Sequence, residues 1–230
     1  MPPSTRKWRP MKSISGYIFR AILFLLAVSP LTGQDTLRTY GPRVGIDLAR
    51  FIYYFAEPAE RGAEVSLDFE VASNVYPVLE AGFSTLSETV DGAAYSSSGP
   101  YGRVGIDYNL LAMRDRSVHH AATIGARYAA SWFSQEADNI VIPSDYWGDY
   151  VIDSYQSSLF GHWVELVTGI RAEVLPNLFF GWSVRYRILL NPDMDPRVTP
   201  LLVPGYGRGT AERGLGFTYA VAYKIPLLKK

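Results

Sequence analysis

The chain has 230 residues and a formal net charge of zero, which excludes the strongly basic surface that nucleic-acid binding favours. It contains no Cys, so disulfides, thiol nucleophiles and cysteine-bound metals are excluded as well. Aromatic residues make up 14% of the sequence, and 16 of them are Tyr. The composition does not define the fold class of this neutral, aromatic-rich chain, which has to be read from the order of apolar and polar residues.

The first 33 residues have the pattern of an export signal. An apolar run, AILFLLAV at residues 21–28, ends before Pro30 and is too short for a spanning helix, which needs about 20 apolar residues. We therefore predict a secretory signal peptide over residues 1–33, cleaved near Gly33, and a mature domain over residues 34–230. An N-terminal membrane anchor is the alternative. The basic region of the signal consists of Arg6, Lys7, Arg9, Lys12 and Arg20.

From residue 40 onward, eight stretches alternate between apolar and polar residues. Successive side chains of a strand point to opposite sides of a sheet, so a period of two predicts β-strands. The longest pattern is a hairpin over residues 162–188, in which Pro176 and Asn177 supply the turn. The six other stretches comprise residues 40–48, 62–72, 76–85, 101–110, 121–134 and 214–227.

The connections between these strands alternate in length. Longer segments follow the first, third, fifth and seventh strands, and the last three of them are residues 87–99, 135–158 and 191–213. Up-and-down barrels with long loops at one end and tight turns at the other have this alternation. The sequence therefore predicts an all-β fold, an eight-stranded antiparallel up-and-down transmembrane β-barrel.

The composition of the polar face indicates that the apolar face points outward into lipid. Charged residues share the polar face with Gly, Ala and Ser, as the narrow lumen of an eight-stranded barrel requires. Tyr and Trp on the apolar face lie mostly near strand ends, where membrane interfaces favour them. A soluble barrel with an apolar interior is the alternative that the period of two leaves open.

The charges on the polar face nearly cancel, with eight acids against seven bases. Because buried charges must be paired, this balance predicts an ion-pair network that fills the lumen. Its expected members are Arg43, Asp47, Glu64, Asp68, Glu70, Glu80, Arg103, Asp107, Arg127, Glu165, Arg171, Glu173, Arg185, Arg187 and Lys224.

The last strand carries Gly216-x-x-Tyr219-x-Val221-x-Tyr223, which resembles the C-terminal signal that the bacterial barrel assembly machinery recognises. The chain departs from that signal in its ending, Ile-Pro-Leu-Leu-Lys-Lys, where a terminal aromatic residue is usual. The barrel assembly machinery is therefore an expected partner during biogenesis.

Several segments together resemble an uncharacterised outer-membrane β-barrel family of Bacteroidota that is defined as a domain of unknown function. The resemblance covers nearly the whole mature chain, and it implies the fold, an outer-membrane location and a Bacteroidota-type envelope. It implies no activity. The segments are Tyr40-Gly41-x-Arg43-Val44-Gly45-x-Asp47-Leu48, Gly105-x-Asp107-Tyr108-Asn109, His162-Trp163-x-Glu165, Gly169-Ile170-x-x-Glu173-Val174, Asn177-Leu178-Phe179, Gly181-x-Ser183-x-Arg185 and the terminal GFTYAVAYKIPLLKK.

Two kinds of chemistry are weighed against a structural role. Lipid or lipopolysaccharide hydrolysis needs a nucleophile beside a base, and His162 with Ser157 and Ser158 nearby is the candidate set. The alternative is an interfacial His beside Trp163. The charged rows could also line a pore for small solutes, but eight strands leave room only for side chains.

The long loops hold the candidate contact residues Tyr146, Trp147, Tyr150, Leu201 and Leu202. Exposed aromatic and aliphatic residues often mark contacts with other proteins, so these residues predict a possible envelope partner. The alternative is that the loops fold over the barrel mouth and bury these side chains. Four acids also occur in the long loop after the fifth strand, and a cation site there is weighed against an ordinary acidic surface: Asp138, Asp145, Asp149 and Asp153.

Together these observations predict a non-enzymatic, structural or accessory outer-membrane barrel with a closed lumen. Its expected partners are outer-membrane lipid, the assembly machinery and an envelope protein, with no nucleic acid. No cofactor, metal or catalytic residue is predicted.

Overall fold

The computed structural model describes residues 39–50, 59–90, 92–111, 120–142 and 150–229, and for residues 39–40, 140–142, 150 and 228–229 it describes the backbone alone. The predicted signal peptide, together with Tyr146 and Trp147, lies outside these residues. The described residues form twelve β-strands: β1 (Thr39–Tyr40), β2 (Arg43–Asp47), β3 (Glu60–Asp68), β4 (Val75–Val90), β5 (Ala93–Asn109), β6 (Ala121–Ile142), β7 (Tyr150–Leu175), β8 (Leu178–Leu189), β9 (Leu202–Val203), β10 (Gly207–Arg208), β11 (Arg213–Lys224) and β12 (Leu228–Lys229).

Eight of these strands close into a barrel in the order β11, β2, β3, β4, β5, β6, β7, β8. Each neighbouring pair is antiparallel, and β11 completes the ring by pairing with both β2 and β8. Ala220 of β11 lies opposite Asp47 on one side and opposite Gly181 on the other. The prediction of an all-β, eight-stranded antiparallel barrel is confirmed.

The barrel has two rims that differ in their connections. At the near rim, which includes the turn at residues 176–177, Lys224 pairs with Arg43, and β1 pairs with β12 close by. At the far rim, residues 190–212 connect β8 to β11 and contain the small β9–β10 hairpin. No helix among the described residues is long and apolar enough to cross a membrane.

The two faces of the wall are opposite to those of a soluble barrel. Large apolar side chains point outward, and Val65, Leu166 and Leu215 are 53%, 54% and 68% exposed. Charged side chains point inward, and Glu80 and Arg103 are only 7% and 3% exposed. Soluble proteins rarely bury charges or expose a continuous apolar surface, so this arrangement is the main physical fact that the function has to explain.

The barrel wall extends beyond the predicted strand ends at the far rim. Residues 87–99, predicted to be a loop, belong largely to the β4–β5 hairpin, in which Ser87 lies opposite Ser96. Residues 135–158, also predicted to be a loop, belong largely to β6 and β7, with Gln135 opposite Ser157. Both loop predictions are wrong because the outward residues of these segments are polar. A strand with polar residues on its outer face lacks the alternation of apolar and polar residues that predicts a strand.

The near-rim turns use Asn where the backbone needs a positive φ. Asn74 and Asn177 each have a φ of 65°, a left-handed conformation that Asn adopts more readily than most residues. In each turn a carboxylate accepts the Asn backbone N–H: Glu70 Oε1 at 3.3 Å and Glu173 Oε1 at 2.6 Å. The predicted turn at Pro176–Asn177 is therefore confirmed, and Asn74 forms the corresponding turn between β3 and β4.

Glycine supplies room for large side chains inside the barrel, and Gly125 gives the sharpest test. A Cβ at Gly125 would lie 2.0 Å from Asp107 Oδ1 and 2.5 Å from the Ile106 carbonyl oxygen. At Gly181, another inward position, the nearest atom would be 3.6 Å away. We expect Gly125→Ala to destabilise the barrel by about 1–3 kcal/mol through overpacking, and Gly181→Ala to be nearly neutral. Thermal unfolding followed by circular dichroism checks this, and equal midpoints for the two variants would contradict it.

Candidate functional site

The lumen is organised around a central cluster of five buried charged residues, Glu64, Glu80, Glu165, Arg103 and Arg185. Each is at most 7% exposed. The members come from five different strands, β3, β4, β7, β5 and β8 respectively. Their contacts therefore cross the inside of the barrel and do not run along one wall.

The contact between Arg185 and Glu80 spans the barrel. Strands β8 and β4 are separated by three strands on either side of the ring, so these residues lie on opposite walls. Arg185 Nη1 is 2.6 Å from Glu80 Oε2, and Arg185 Nη2 is 3.1 Å from Glu80 Oε1. Two parallel N–H···O bonds between a guanidinium and a carboxylate form a strong, directional ion pair. Arg185 and Glu80 therefore connect opposite walls at this level of the lumen.

Arg103 joins all three carboxylates of the cluster. Its Nη1 lies 2.8 Å from Glu64 Oε2 and 3.0 Å from Glu80 Oε2, and its Nε lies 3.0 Å from Glu165 Oε1. The last contact is close but poorly aligned for a hydrogen bond, and Arg103 Nε has no hydrogen-bond acceptor among the described residues. Charge attraction, and not hydrogen-bond geometry, holds that part of the cluster.

Two aromatic residues that sequence reasoning missed complete the cluster. The Tyr101 hydroxyl donates to Glu64 Oε2 at 2.6 Å, and Trp163 Nε1 donates to Glu165 Oε1 at 2.7 Å. Both aromatic side chains are buried, at 3% and 0% exposure. Their positions share the inward parity of Arg103 and Glu165, so the period of two could have identified them. Buried carboxylates need such donors because they accept several hydrogen bonds each.

A second group of charges lies nearer the near rim. Asp68 contacts Arg43, and it lies 3.4 Å from Arg171 Nη1. Arg127 Nη2 donates to Asp107 Oδ1 at 2.8 Å. A polar cavity of about 90 Å³ is lined by residues from both groups, and Arg127 Nε lies 3.7 Å from Glu80 Oε1 of the central cluster. A polar cavity of this size is large enough for a few water molecules.

The remaining predicted lumen residues lie at the edges of the two groups. Asp47 is buried and accepts the backbone N–H groups of Ala49 and Tyr219. Lys224 lies 5.4 Å from the centre of the Phe179 ring, and Glu70 and Glu173 accept turn N–H groups. Arg187 Nε is 3.5 Å from Glu165 Oε1. The structure therefore places Glu70 and Glu173 at the near-rim turns and not in the middle of the lumen.

Residues 190–212, here called the mouth segment, cover the far-rim end of the lumen. Its residues Leu202, Val203 and Tyr206 are buried at 1%, 0% and 4% exposure. Arg103 Nη2 donates to the Gly205 carbonyl at 2.8 Å, and Arg187 donates to the Tyr206 carbonyl. Arg103 therefore connects the central cluster to the mouth segment.

Burial of the mouth segment corrects one expectation about partner contacts. Leu202 packs with Leu86, Tyr95 and Ala137, and half-buried Leu201 packs against the same group. Leu202 is therefore not available to an external protein. Of the other expected contact residues, Tyr146 and Trp147 lie outside the described part of the chain, and only the backbone of Tyr150 is described.

Asp195 fixes the outer part of the mouth segment to the extended wall. It accepts hydrogen bonds from Gln135 Nε2 and from the Tyr155 hydroxyl, both at 2.9 Å. Burial alone would raise the pKa of Asp195, but hydrogen bonds from the Arg197 backbone, Tyr155, the Val198 backbone and Gln135 lower this pKa below its usual value. This anchor therefore persists above the ordinary pKa of aspartate and is lost as the pH falls through the lowered value.

The geometry of the described residues bears on two alternatives from the sequence, the hydrolase centred on His162 and the cation site. His162 lies on the outward face of β7, with Nδ1 3.2 Å from the Tyr128 hydroxyl and its ring stacked on Phe160. Ser157 has the opposite parity, and Ser158 lies about 13 Å further along the strand. Within the described ranges, no group of three or more His, Asp or Glu residues is placed to hold a metal ion.

We expect the central cluster to dominate the stability of the barrel. Glu80→Ala would remove one of the three carboxylates that Arg103 and Arg185 share and leave buried positive charge in excess, at a cost of about 3–5 kcal/mol. The matched control is Glu88→Ala, because Glu88 forms an exposed pair with Arg208 at 3.1 Å and such pairs contribute about 1 kcal/mol or less. Denaturant unfolding of both variants checks this, and the double variant Glu80→Gln/Arg185→Gln should lose less than the sum of its single variants. Equal losses in the free energy of unfolding from Glu80→Ala and Glu88→Ala would contradict a dominant contribution of the central cluster to stability.

Comparisons with solved structures give barrels of low sequence identity. Neisserial surface protein A has a TM-score of 0.40 and 10% identity, with 80% of this chain and 94% of that chain covered. Ail of Yersinia pestis, solved with the heparin analogue sucrose octasulfate, has a TM-score of 0.43 and 9% identity, with 81% and 99% covered. CarO2 of Acinetobacter baumannii has a TM-score of 0.40 and 11% identity, with 83% and 100% covered.

Among curated proteins, none matches this chain. A family model does match, and it covers residues 12–230, which include the whole barrel. The chain belongs to the family described as a domain of unknown function, DUF6048.

Proposed function

We propose that this protein is a non-enzymatic outer-membrane β-barrel with a closed lumen, acting as a structural or accessory subunit of an envelope assembly. The observation that carries the membrane location is the apolar belt, the set of outward apolar side chains contributed by every strand of the barrel. Representative members are Ile46, Val65, Leu79, Val104, Ile124, Leu166, Phe180 and Phe217, each at least 38% exposed.

A lipid environment explains the belt and the buried charges together. In water the belt would expose apolar area around the whole barrel, each Å² costing roughly 25 cal/mol relative to burial. In lipid the same side chains are solvated, and a closed barrel leaves no unpaired strand edge in the hydrocarbon. Strands can span a bilayer only as such a closed barrel. An outward apolar face with a charged interior is the arrangement that lipid favours.

The closed lumen is inferred from two obstructions in series. The Arg185–Glu80 pair connects opposite walls, and the mouth segment fills the far-rim end above it. Both are joined by Arg103, which contacts Glu80 and the Gly205 carbonyl. These contacts support a static interior, and they weigh against the small-solute pore considered from the sequence.

A hydrolase centred on His162 receives no support from the geometry. Its described side-chain partners are Tyr128 and Phe160, and no carboxylate contact to its ring is seen among the described residues. A triad-like arrangement would need a carboxylate to orient the ring and a nucleophile within about 3 Å. An interfacial role for His162 beside the exposed aromatic residues Tyr128 and Phe160 is the simpler proposal.

Export and assembly complete the proposal. Residues 1–33 would direct the chain out of the cytoplasm, and the motif from Gly216 to Tyr223 on β11 would be recognised by the barrel assembly machinery. The resemblance of segments along nearly the whole mature chain to an outer-membrane barrel family of Bacteroidota supports an envelope of that type. Outer-membrane barrels have short turns at the periplasmic end and longer loops at the outer end, so the near rim would face the periplasm and the far rim the exterior.

Fluorescence of single-Trp variants in vesicles tests the membrane location. Trp182 points outward and is 36% exposed, whereas Trp163 points inward and is 0% exposed. Two variants, each retaining one of these residues with the other Trp residues changed to Phe, are reconstituted in lipid with brominated acyl chains. We expect strong quenching of Trp182 and weak quenching of Trp163, because quenching needs contact with the bromines. Equal quenching of both would contradict an outward apolar face in lipid.

Planar bilayer recording tests the closed lumen. The vesicles that show Trp182 quenching also prove insertion, so they are fused with the bilayer and the current is followed under voltage. We expect no stepwise conductance, because the central cluster and the mouth segment fill the interior. Reproducible single-channel steps from inserted protein would support the pore alternative.

A further inference from the structure

Strand β7 is much longer than the neighbour on its β8 side. It has 26 residues, whereas β8 has 12, and their pairing begins only at Trp163 opposite Leu189. Residues 150–162 of β7 pair on their other side with β6, from Ile142 opposite Tyr150 to Ala130 opposite His162. This upper part of β7 is therefore the edge of a sheet that projects beyond the far rim.

Asn191 ends the hydrogen-bond ladder on the β8 side. Its side-chain Nδ2 donates to the Phe160 carbonyl at 2.8 Å, and its Oδ1 accepts the His162 N–H at 2.9 Å. The Leu190 N–H donates to the His162 carbonyl at 3.0 Å. The Asn191 amide thus replaces one peptide of a missing strand. Beyond it, residues 150–158 have no backbone partner on this side among the residues that the structure describes.

The register identifies which backbone groups face this edge. In an antiparallel sheet the N–H and C=O of one residue point to the same side, and consecutive residues alternate. Phe160 and His162 bond to the β8 side, so even-numbered residues face it. Ile152, Ser154, Gln156 and Ser158 therefore present their N–H and C=O groups along the open edge, over a strand length of about 30 Å for residues 150–158.

This edge lacks the features that usually protect an edge strand. Proteins block such edges with Lys, Pro, bulges or a covering loop. Residues 150–158, YVIDSYQSS, contain no Lys or Pro, and the β6–β7 register is continuous from Gln135 opposite Ser157 to Asp138 opposite Ser154. Asp153 is the single charge in the stretch. The backbone N–H and C=O groups along this edge are therefore available to hydrogen-bond with another strand.

We propose that the open edge of β7 at residues 152–158 is a docking site for an extended segment of a second protein, which adds to the barrel wall as a further β-strand. The bonding would be backbone to backbone and would continue the ladder that Asn191 ends. This site goes beyond the proposed function, and it rests on that function for the compartment of the edge and for the shared orientation of copies in one membrane.

A second copy of this chain fits the edge poorly. Two copies in one membrane are related by a rotation about the membrane normal, which leaves β7 rising in the same direction in both and places the same residues at the same height. A parallel ladder requires the edge-facing residues of one strand to be one residue out of step with those of the other. The symmetry and the ladder are therefore incompatible, which favours a different polypeptide.

Hydrogen exchange of the full-length protein, compared between native envelope membranes and detergent after purification, tests the docking site. We expect the amides of Ser154, Gln156 and Ser158 to exchange at least about tenfold more slowly in native membranes, because a partner carbonyl would protect each of them. Amides of odd-numbered residues already bond to β6 and should not change. Equal exchange of the even-numbered amides in both samples would overturn the proposal.

Site-specific crosslinking identifies what covers the edge. The chain has no Cys, so a photoreactive maleimide on Gln156→Cys is placed uniquely. The matched control is Glu136→Cys, which lies opposite Gln156 on β6 but one strand away from the edge. We expect a heterologous protein adduct from position 156 and none from position 136. An adduct with the mass of two copies of this chain, an adduct with lipid only, or no adduct would each overturn the proposal.

A proline variant separates edge pairing from folding. Gln156→Pro removes one edge-facing N–H and leaves the β6 ladder intact, since proline is tolerated on edge strands. Barrel stability and Trp182 quenching should be unchanged, while the native-membrane protection of Ser154 and Ser158 is lost. Failure of the quenching experiment would refute the membrane location alone, whereas unprotected edge amides would refute the docking site alone.

Discussion

The structure depends on the pairing of charges that the barrel removes from water. An isolated buried carboxylate or guanidinium costs several kcal/mol, so each must find a partner in a lumen only a few side chains wide. Glu80 and Arg185 solve this by meeting from opposite walls, and Arg103 connects them to Glu64 and Glu165. Small inward residues such as Gly125 leave space for the long side chains. The hydroxyl of Tyr101 and the indole of Trp163 supply further donors.

The described strands form two levels along the barrel axis, a closed lower level and a projecting upper level. At the level of the apolar belt, the wall closes on itself and every strand has two neighbours. Beyond the far rim, β4 to β7 continue as a projecting sheet, one face of which is covered by the mouth segment through Asp195, Gln135 and Tyr155. The lower level closes the barrel and carries the apolar belt that we propose to face lipid. The upper level holds the one long edge that the described strands leave without a neighbour.

The period of two was sufficient to predict the strands of the lower level and the residues that face inward. It succeeded because an outward apolar belt and a charged lumen place opposite kinds of residue at alternate positions. It failed for residues 87–99 and 135–158, where the outward residues are polar and the contrast between the two faces disappears. It also missed Tyr101 and Trp163, since aromatic residues were sought only on the outer face.

The position of the mouth segment could not be predicted from the sequence, for a different reason. Its contacts join positions far apart in the chain, such as the Ser97 hydroxyl and the Leu202 carbonyl, which are 105 residues apart. Four prolines and several apolar residues in residues 191–213 are compatible with an exposed loop or with a buried plug. Only the closed barrel determines which carbonyl groups Arg103 and Arg187 can reach.

The pairing of β11 with β2 has a consequence for how the molecule forms. The hairpins from β4 to β7 join neighbouring segments and can form early, whereas β2 must wait for β11 at the other end of the chain. Glu80 belongs to an early hairpin, and Arg185 arrives with β8. Until β8 arrives, Glu80 has Arg103 of the same hairpin as its counter-ion and lacks the bidentate contact with Arg185. Charge pairing across the lumen and closure of the barrel are therefore constrained to proceed together.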